Sequence, residues 1–231
     1  MLLNFLGRGS AFNTKEGNNS AFVKIKNELI LLDCGENIFE RIINRKILKN
    51  VSDIHVLITH MDSDHIGSLS SLIYYCYYIK HIVVEVSFPT RELYDFLKLQ
   101  GHIENQNYKF NLIGTDINNT LNFINVKPIK VNHIKTLNCY GYLIYIKDKL
   151  IWYSGDCSNV SNVINEYVIE EFYQDTCLAE YKGNVHTSLK LLCKSISKDK
   201  RNKVYCMHID CDELIEKAKY EGFNVVEVNS N

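Results

Sequence analysis

Proline is scarce in this 231-residue chain, with two in all, and no Gly/Ser-rich or low-complexity tract interrupts it. There is no convincing linker at which to divide the chain and no internal repeat, so a single domain spanning 1–231 is expected. No apolar run reaches the length of a membrane-spanning helix. The opening MLLNFLGRGSAF also lacks the basic start, long apolar stretch and small-residue cleavage site of a secretion signal, so the expectation is a cytoplasmic protein with no membrane partner. Neither sign of charge dominates: 26 basic against 27 acidic residues leave a formal net charge of −1. That balance excludes a global positive field, and any nucleic-acid substrate would have to be gripped locally. The eight cysteines include no C-x-x-C pair. Scattered through apolar segments, they read as buried free thiols, and Cys206 and Cys211 are spaced for no ordinary zinc module.

What is present is ample core material, with 46% hydrophobic and 11% aromatic residues. Apolar, β-rich runs at Ser20–Ile25, Glu28–Asp33, Ile54–Thr59, Ile82–Val86, Leu121–Ile129, Tyr142–Ile146, Leu150–Ser154 and Lys203–His208 predict buried strands. Apolar residues at three- and four-residue spacing predict helices over Asn37–Leu48, Ser68–Tyr78, Thr90–Leu99, Thr187–Ser195 and Cys211–Tyr220. The fold class is α/β. Two central sheets sheathed by helices and one doubly wound sheet both satisfy this pattern, and periodicity does not choose between them.

The predicted strand Ile54–Thr59 runs directly into His60-Met-Asp62-Ser-Asp64-His65-Ile-Gly67. A lone His or Asp beside a strand is usually a satisfied core or surface residue, but four ligand-type side chains in six positions call for a metal. Alternating positions 60, 62 and 64 are expected to point into one pocket, with the adjacent Asp64 and His65 diverging toward two neighbouring ions. Gly67 is expected to let the backbone turn tightly.

This segment resembles the H-x-H-x-D-H signature of the metallo-β-lactamase superfamily, in a variant where the second His is Asp. The resemblance implies an αββα sandwich of two mixed sheets flanked by helices, and it extends in order to His133, to Asp156 in Trp-Tyr-Ser-Gly-Asp, and to His208 after Val-Tyr-Cys-Met. It implies that His60, Asp62 and His133 hold one ion, Asp64, His65 and His208 a second, and that Asp156 bridges them. Between two divalent cations a shared water loses its proton near neutral pH, so a bridging hydroxide is the expected nucleophile. Three carboxylates with hydroxide offset two dications. The oxygen-richer first position suits harder ions, which leaves zinc as the default and manganese as the alternative.

The opening Phe5-Leu-Gly7-Arg-Gly9-Ser-Ala-Phe, with Asn18-Asn-Ser-Ala-Phe and Leu31-Leu-Asp33-Cys-Gly35-Glu, is similar to the start of ribonuclease Z and its relatives. By that resemblance Asp33 supports a metal ligand from behind. Tyr173-Gln-Asp175 and Val185-His186-Thr-Ser resemble a diverged form of the ribonuclease Z motif in which an acidic residue orients a proton-donating histidine. Asp64, His186 and Asp175 are thus the catalytic candidates, although His186-Thr-Ser equally suits the start of a helix. Transfer-RNA-processing relatives carry a protruding arm, in some members between the positions matching His133 and Asp156. Here that short interval reads as two strands with Lys147-Asp148-Lys149 as their turn. A compact relative without an RNA grip resembles the phage-type anti-Pycsar enzymes, which hydrolyse cyclic nucleotides, and implies a small phosphodiester substrate. The rivals are a DNA or RNA nuclease of competence or ribonuclease Z type, for which Lys198–Lys203 would touch the phosphate backbone, a lactonase or thioesterase, and a non-catalytic metal- or nucleotide-binding protein. The cluster Tyr74-Tyr-Cys-Tyr77-Tyr78 suits a subunit contact better than a base-stacking platform. Relatives with this opening are frequently homodimers, so a homodimer is expected.

Overall fold

A computed structural model describes residues 1–114 and 119–228. The chain begins as an antiparallel meander of β1 (Asn4–Gly7), β2 (Ser20–Ile25) and β3 (Glu28–Leu32). Helix α1 (Ile38–Asn44) then carries it to β4 (Asp53–Leu57), which runs parallel to β3. Helices α2 (Ser63–Ile66) and α3 (Leu69–Tyr75) lead to β5 (Val84–Phe88), and α4 (Glu92–Leu99) to β6 (Tyr108–Leu112), both further parallel additions. The second half repeats the plan. Antiparallel β7 (Asn119–Leu121), β8 (Ile124–Lys130), β9 (Tyr140–Ile146) and β10 (Lys149–Tyr153) are followed by parallel β11 (Glu171–Asp175), β12 (Val204–Met207) and β13 (Asn224–Val225). Helices α5 (Val163–Glu166), α6 (Leu189–Ser195) and α7 (Asp212–Tyr220) make those crossovers. Among the described residues this gives a six-stranded and a seven-stranded mixed sheet, the αββα sandwich that the resemblance implies.

The second sheet is apolar on both faces. Tyr142, Ile144, Ile151 and Tyr153 join a core cluster that also contains Leu29, Val56 and Val86 of the first sheet. Their strand neighbours Leu143, Leu150 and Trp152 instead meet Leu192 of α6 and Leu214 and Ala218 of α7. Alternation along a strand buried on both sides explains why β9 and β10 read as nearly continuous apolar runs.

Several boundaries differ from the sequence expectation. The run Leu121–Ile129 is a hairpin, with Asn122 in the left-handed conformation between β7 and β8. Helix α1 stops at Asn44, and α3 gives way after Tyr75 to a π-helical turn, Cys76–Lys80. β1, β6, β11 and β13 have no counterpart among the expected strands. β11 escaped because Glu171, Gln174 and Asp175 interrupt its apolar pattern, yet the whole strand is buried. The turn at Lys147-Asp148 joins β9 to β10 as expected, and all eight cysteines are free. No helix among the described residues is long and apolar enough to cross a membrane.

Candidate metal centre

Parallel strands end on the same side of their sheet, and the ligand-type residues sit where those ends meet, as open α/β sheets favour. His60 follows β4, His133 follows β8, Asp156 follows β10, and His208 follows β12. Asp64 and His65 lie on α2, where the His65 and Ile66 N–H groups donate to the Asp62 carbonyl at 2.9 and 3.0 Å. Strand-like alternation of positions 60, 62 and 64 is therefore not how the motif works, because one helical turn turns Asp64 and His65 inward. Nor is Gly67 a special turn residue, since its backbone is ordinary right-handed helix. A Cβ there would lie 2.5 Å from the Ser63 carbonyl oxygen and 2.7 Å from Glu36 Cγ, so close approach is what demands glycine. Gly35 is tighter still, with no room for a Cβ against the Asp64 carbonyl oxygen.

Four imidazoles converge, each held from behind through Nδ1. The His65 Nδ1–H donates to Asp33 Oδ2 at 2.9 Å, and the His133 Nδ1–H to the Val185 carbonyl at 3.0 Å. His60 Nδ1 is 3.0 Å from Thr59 Oγ1, and His208 Nδ1 is 3.4 Å from Asp175 Oδ1. Every Nε2 therefore faces the carboxylates. Asp156 is central: its oxygens lie 3.2 Å from both His65 and His208 Nε2, and 3.9 Å from those of His60 and His133. Asp62 Oδ2 is 3.4 Å from His60 and His133 Nε2, and Asp64 Oδ2 3.3–3.4 Å from His208 and His65. The structure thus brings all seven predicted ligands together.

Two compact donor sets emerge, Asp64–His65–Asp156–His208 and His60–His133–Asp156, and a third joins Asp156 and His208 to Asp175 and His186. The buried Nε2 atoms of His60 and His65 and Oδ1 of Asp156 have no hydrogen-bond partner among the described residues. Unpaired donors of that kind are costly unless an ion completes them, and imidazoles anchored from outside are what metal ligation requires. Electrostatics points the same way. Burial opposes a charge on His65, but Asp156, Asp33 and Asp64 outweigh it and raise its pKa well above the usual range. Hydrogen bonds from His133 and His60 hold Asp62 low, and His208 and His65 hold Asp156 well below the carboxylate range against its burial. The cluster draws in positive charge, which divalent cations would supply in place of protons.

Asp175 Oδ2 accepts from the Cys157 N–H at 2.9 Å and from His186 Nδ1–H at 2.8 Å. Helix α6 begins only at Leu189, capped by Ser188, whose Oγ accepts from the Leu191 N–H. His186 is therefore not the helix cap. It lines a cavity of about 250 Å³ together with Asp62, Asp64, His133, Asp156 and His208, and no Lys or Arg lines it among the described residues. Thr59 is a further residue of the site. It ties Asp33 to His60, its N–H donating to Asp33 Oδ1 at 2.8 Å, but a single threonine at a strand end carries no signal of its own. Asp210, Phe12 and Tyr181 on the cavity lining were equally illegible as site residues. The tyrosines at 74–78 do not line it; Tyr74 stacks on Tyr78 and His102 instead. Arg201 is also turned inward, donating to the Glu221 and Cys193 carbonyls at 2.7 and 2.9 Å.

A family model described as anti-Pycsar protein Apyc1 matches residues 1–229. The chain belongs to the anti-Pycsar Apyc1 family. Relatives of that name include one from Paenibacillus sp. (strain J14), 29% identical over 91% of this chain and 89% of its own, and one from Bacillus phage BSP38, 25% identical over 89% and 88%. Among solved structures, the metallo-β-lactamase fold protein YhfI from Bacillus subtilis superposes with a TM-score of 0.78 at 14% identity, covering 99% of this chain and 95% of YhfI. The short form of human tRNase Z does so with a TM-score of 0.70 at 18% identity, covering 99% and 96%. This Apyc1-family chain thus has the metallo-β-lactamase fold with a short hairpin between His133 and Asp156.

Proposed function

We propose that the protein is a metal-dependent phosphodiesterase that hydrolyses a small phosphodiester, a cyclic nucleotide. The observation that carries this reading is the Asp156-centred cluster in a cavity of about 250 Å³ with no Lys or Arg in its lining among the described residues. Such a space takes one small ligand, and a polyanion would meet no basic track. A phosphate beside Asp62, Asp64 and Asp156 would be repelled by their carboxylates unless cations stood between them.

His60, Asp62 and His133 would hold one divalent cation and Asp64, His65 and His208 another, with Asp156 between them. Bound there, the pair would ionise a water near neutral pH and neutralise charge on the phosphoryl oxygens, with zinc as our first choice and manganese as the alternative. The chain's own part in the chemistry is positional. Asp33, Thr59, the Val185 carbonyl and Asp175 fix the imidazoles so that no reorganisation is needed on binding. His186, on the cavity wall with Nδ1 on Asp175, is placed to give its Nε2 proton to the departing alkoxide, and Asp175 sustains the imidazolium.

The test is a substrate panel on zinc- and manganese-loaded protein: 3′,5′-cyclic mononucleotides, single-stranded DNA, precursor transfer RNA and a lactone, with Asp64→Ala as control. Turnover of cyclic nucleotides with inert polymers and lactone is the expected result. Cleavage of nucleic acid with cyclic nucleotides untouched would replace this reading with the nuclease one.

A further inference from the structure

The opening Gly7-Arg8-Gly9-Ser10 supplies neither a ligand nor a proton donor, yet it is bonded to the residue that follows His208. The Ile209 N–H donates to the Arg8 carbonyl at 2.7 Å, and the Ile209 carbonyl accepts from the Ser10 N–H and from Asn13 Nδ2, both at 3.0 Å. Gly9 and Ile209 thereby form a parallel bridge outside the strands of either sheet.

His208 is the residue that needs such a clamp. Its φ is 58°, in the left-handed region where a Cβ crowds the backbone, and side chains other than glycine stay there only when their surroundings impose it. The reason for the conformation lies in the alternation along β12. Met207 joins the core between the sheets, while Cys206 and Ile209 both join the cluster under α6 and α7. Regular alternation would send His208 to the helix side with Cys206. One left-handed residue breaks the alternation and turns the ring inward instead, with Nε2 3.2 Å from Asp156 and 3.3 Å from Asp64. On the chain before it, Met207 is fixed by its carbonyl, which accepts from the Thr176 N–H at 3.1 Å. On the chain after it, Ile209 is fixed by residues 8–13.

The loop that does this is itself braced. The Gly9 N–H donates to the Gly17 carbonyl at 2.7 Å, joining its two limbs, and a Cβ on Gly9 would lie 2.6 Å from the Asn13 carbonyl oxygen. Arg8 donates through Nε to Glu16 at 2.7 Å and through a terminal nitrogen to the Val226 carbonyl at 2.8 Å. Val226 in turn donates its N–H to the Cys206 carbonyl of β12 at 3.0 Å. The loop is therefore anchored to the same strand whose end it holds.

We infer that residues 8–13 are a strap that keeps His208 in its ring-inward conformation, and that Asn13 is a positioning residue for the metal centre. The inference rests on the two-cation part of the proposed function for its consequence. Its own content is the hold on His208.

Metal-free protein is titrated with cobalt(II), followed by the absorption of the bound ion. Asn13→Ala should weaken one of the two equivalents about 10-fold or more and leave the other nearly unchanged. Asn13→Asp, which keeps the size and loses the donor, should act alike. Lys15→Ala, which breaks the loop's exposed ion pair with Asp212, should weaken neither. Without metal, the Cα and Cβ chemical shifts of His208 report its backbone region, and Asn13→Ala should move them toward extended values. By linkage, loading wild type should also slow hydrogen exchange at the Ser10 and Ile209 N–H groups.

If wild type takes up no cobalt but Asn13→Ala moves the His208 shifts, the metal reading fails and the strap stands. If wild type loads two ions while Asn13→Ala alters neither equivalent nor those shifts, the strap is overturned and the metal reading stands. Equal weakening of both equivalents with a matching loss of folding stability overturns it as well, because a merely structural loop would behave in that way. So does unchanged exchange at Ser10 and Ile209 on loading.

Discussion

Asp175 Oδ2 lies 2.8 Å from Nδ1 of His186, although the two residues belong to a buried strand and to a loop eleven positions later. The carboxylate fixes the tautomer of the ring and leaves Nε2 as the group able to exchange a proton with a ligand.

His186→Ala should lower kcat by about 10²–10⁴-fold on a cyclic nucleotide, whose leaving group is an alkoxide. On bis-p-nitrophenyl phosphate the loss should be far smaller, because an aryloxide departs without protonation. Equal losses on both substrates would remove His186 from the proton-donor role. Metal content, measured in the same preparations, should stay unchanged.

Asp33 is fully buried and holds His65 through Nδ1. Asp33→Asn keeps the shape and tolerates the left-handed backbone at this position, but weakens the anchor. Metal affinity should fall about 10–100-fold, as read by competition with a chelator. An unchanged affinity would mean that His65 needs no anchor.

Cation uptake should release protons. Burial opposes a charge on His208, but Asp156, Asp175 and Asp64 outweigh it and push its pKa up to about 10. Near neutral pH that ring carries a proton which a metal must displace, so affinity weakens as pH falls. Calorimetric titration in two buffers of different ionisation heat counts the protons, and a count of zero would contradict the arrangement.

Folding stability should decline in mild acid through His55. Burial outweighs Glu85 and Asp53 and lowers its pKa to about 4, so the folded chain keeps this ring neutral, with Nε2 2.6 Å from Ser87 Oγ. The unfolded chain takes up the proton near pH 6.5. The contribution is therefore complete above about 6.5 and is lost as pH falls toward about 4, by roughly 3 kcal/mol at most. Denaturant unfolding of metal-loaded wild type and His55→Gln across this range should show the smaller acid loss in the variant.

Gly35→Ala drives a Cβ into the Asp64 carbonyl oxygen, so α2 must move. A cost of about 1–3 kcal/mol in stability is expected, with reduced metal content in whatever folds. The corresponding change at Gly183, which has open space around it, should leave metal content untouched.

Residue type and spacing alone singled out the strand exit where His60, Asp62, Asp64 and His65 crowd into six positions. His133, Asp156 and His208, like Asp33 and the Asp175–His186 pair, were legible only through family resemblance. What folding alone decided was the direction of each side chain: that one turn of helix rather than strand alternation aims Asp64 and His65, that Gly67 answers to the Ser63 carbonyl and Glu36, and that Asp175 serves two histidines at once. It also decided that Phe12, Tyr181 and Asp210, separated by up to two hundred positions, border one cavity. Local pattern records which face of an element is apolar, but loops from different crossovers meet only when two sheets pack, and no periodicity along the chain encodes that meeting.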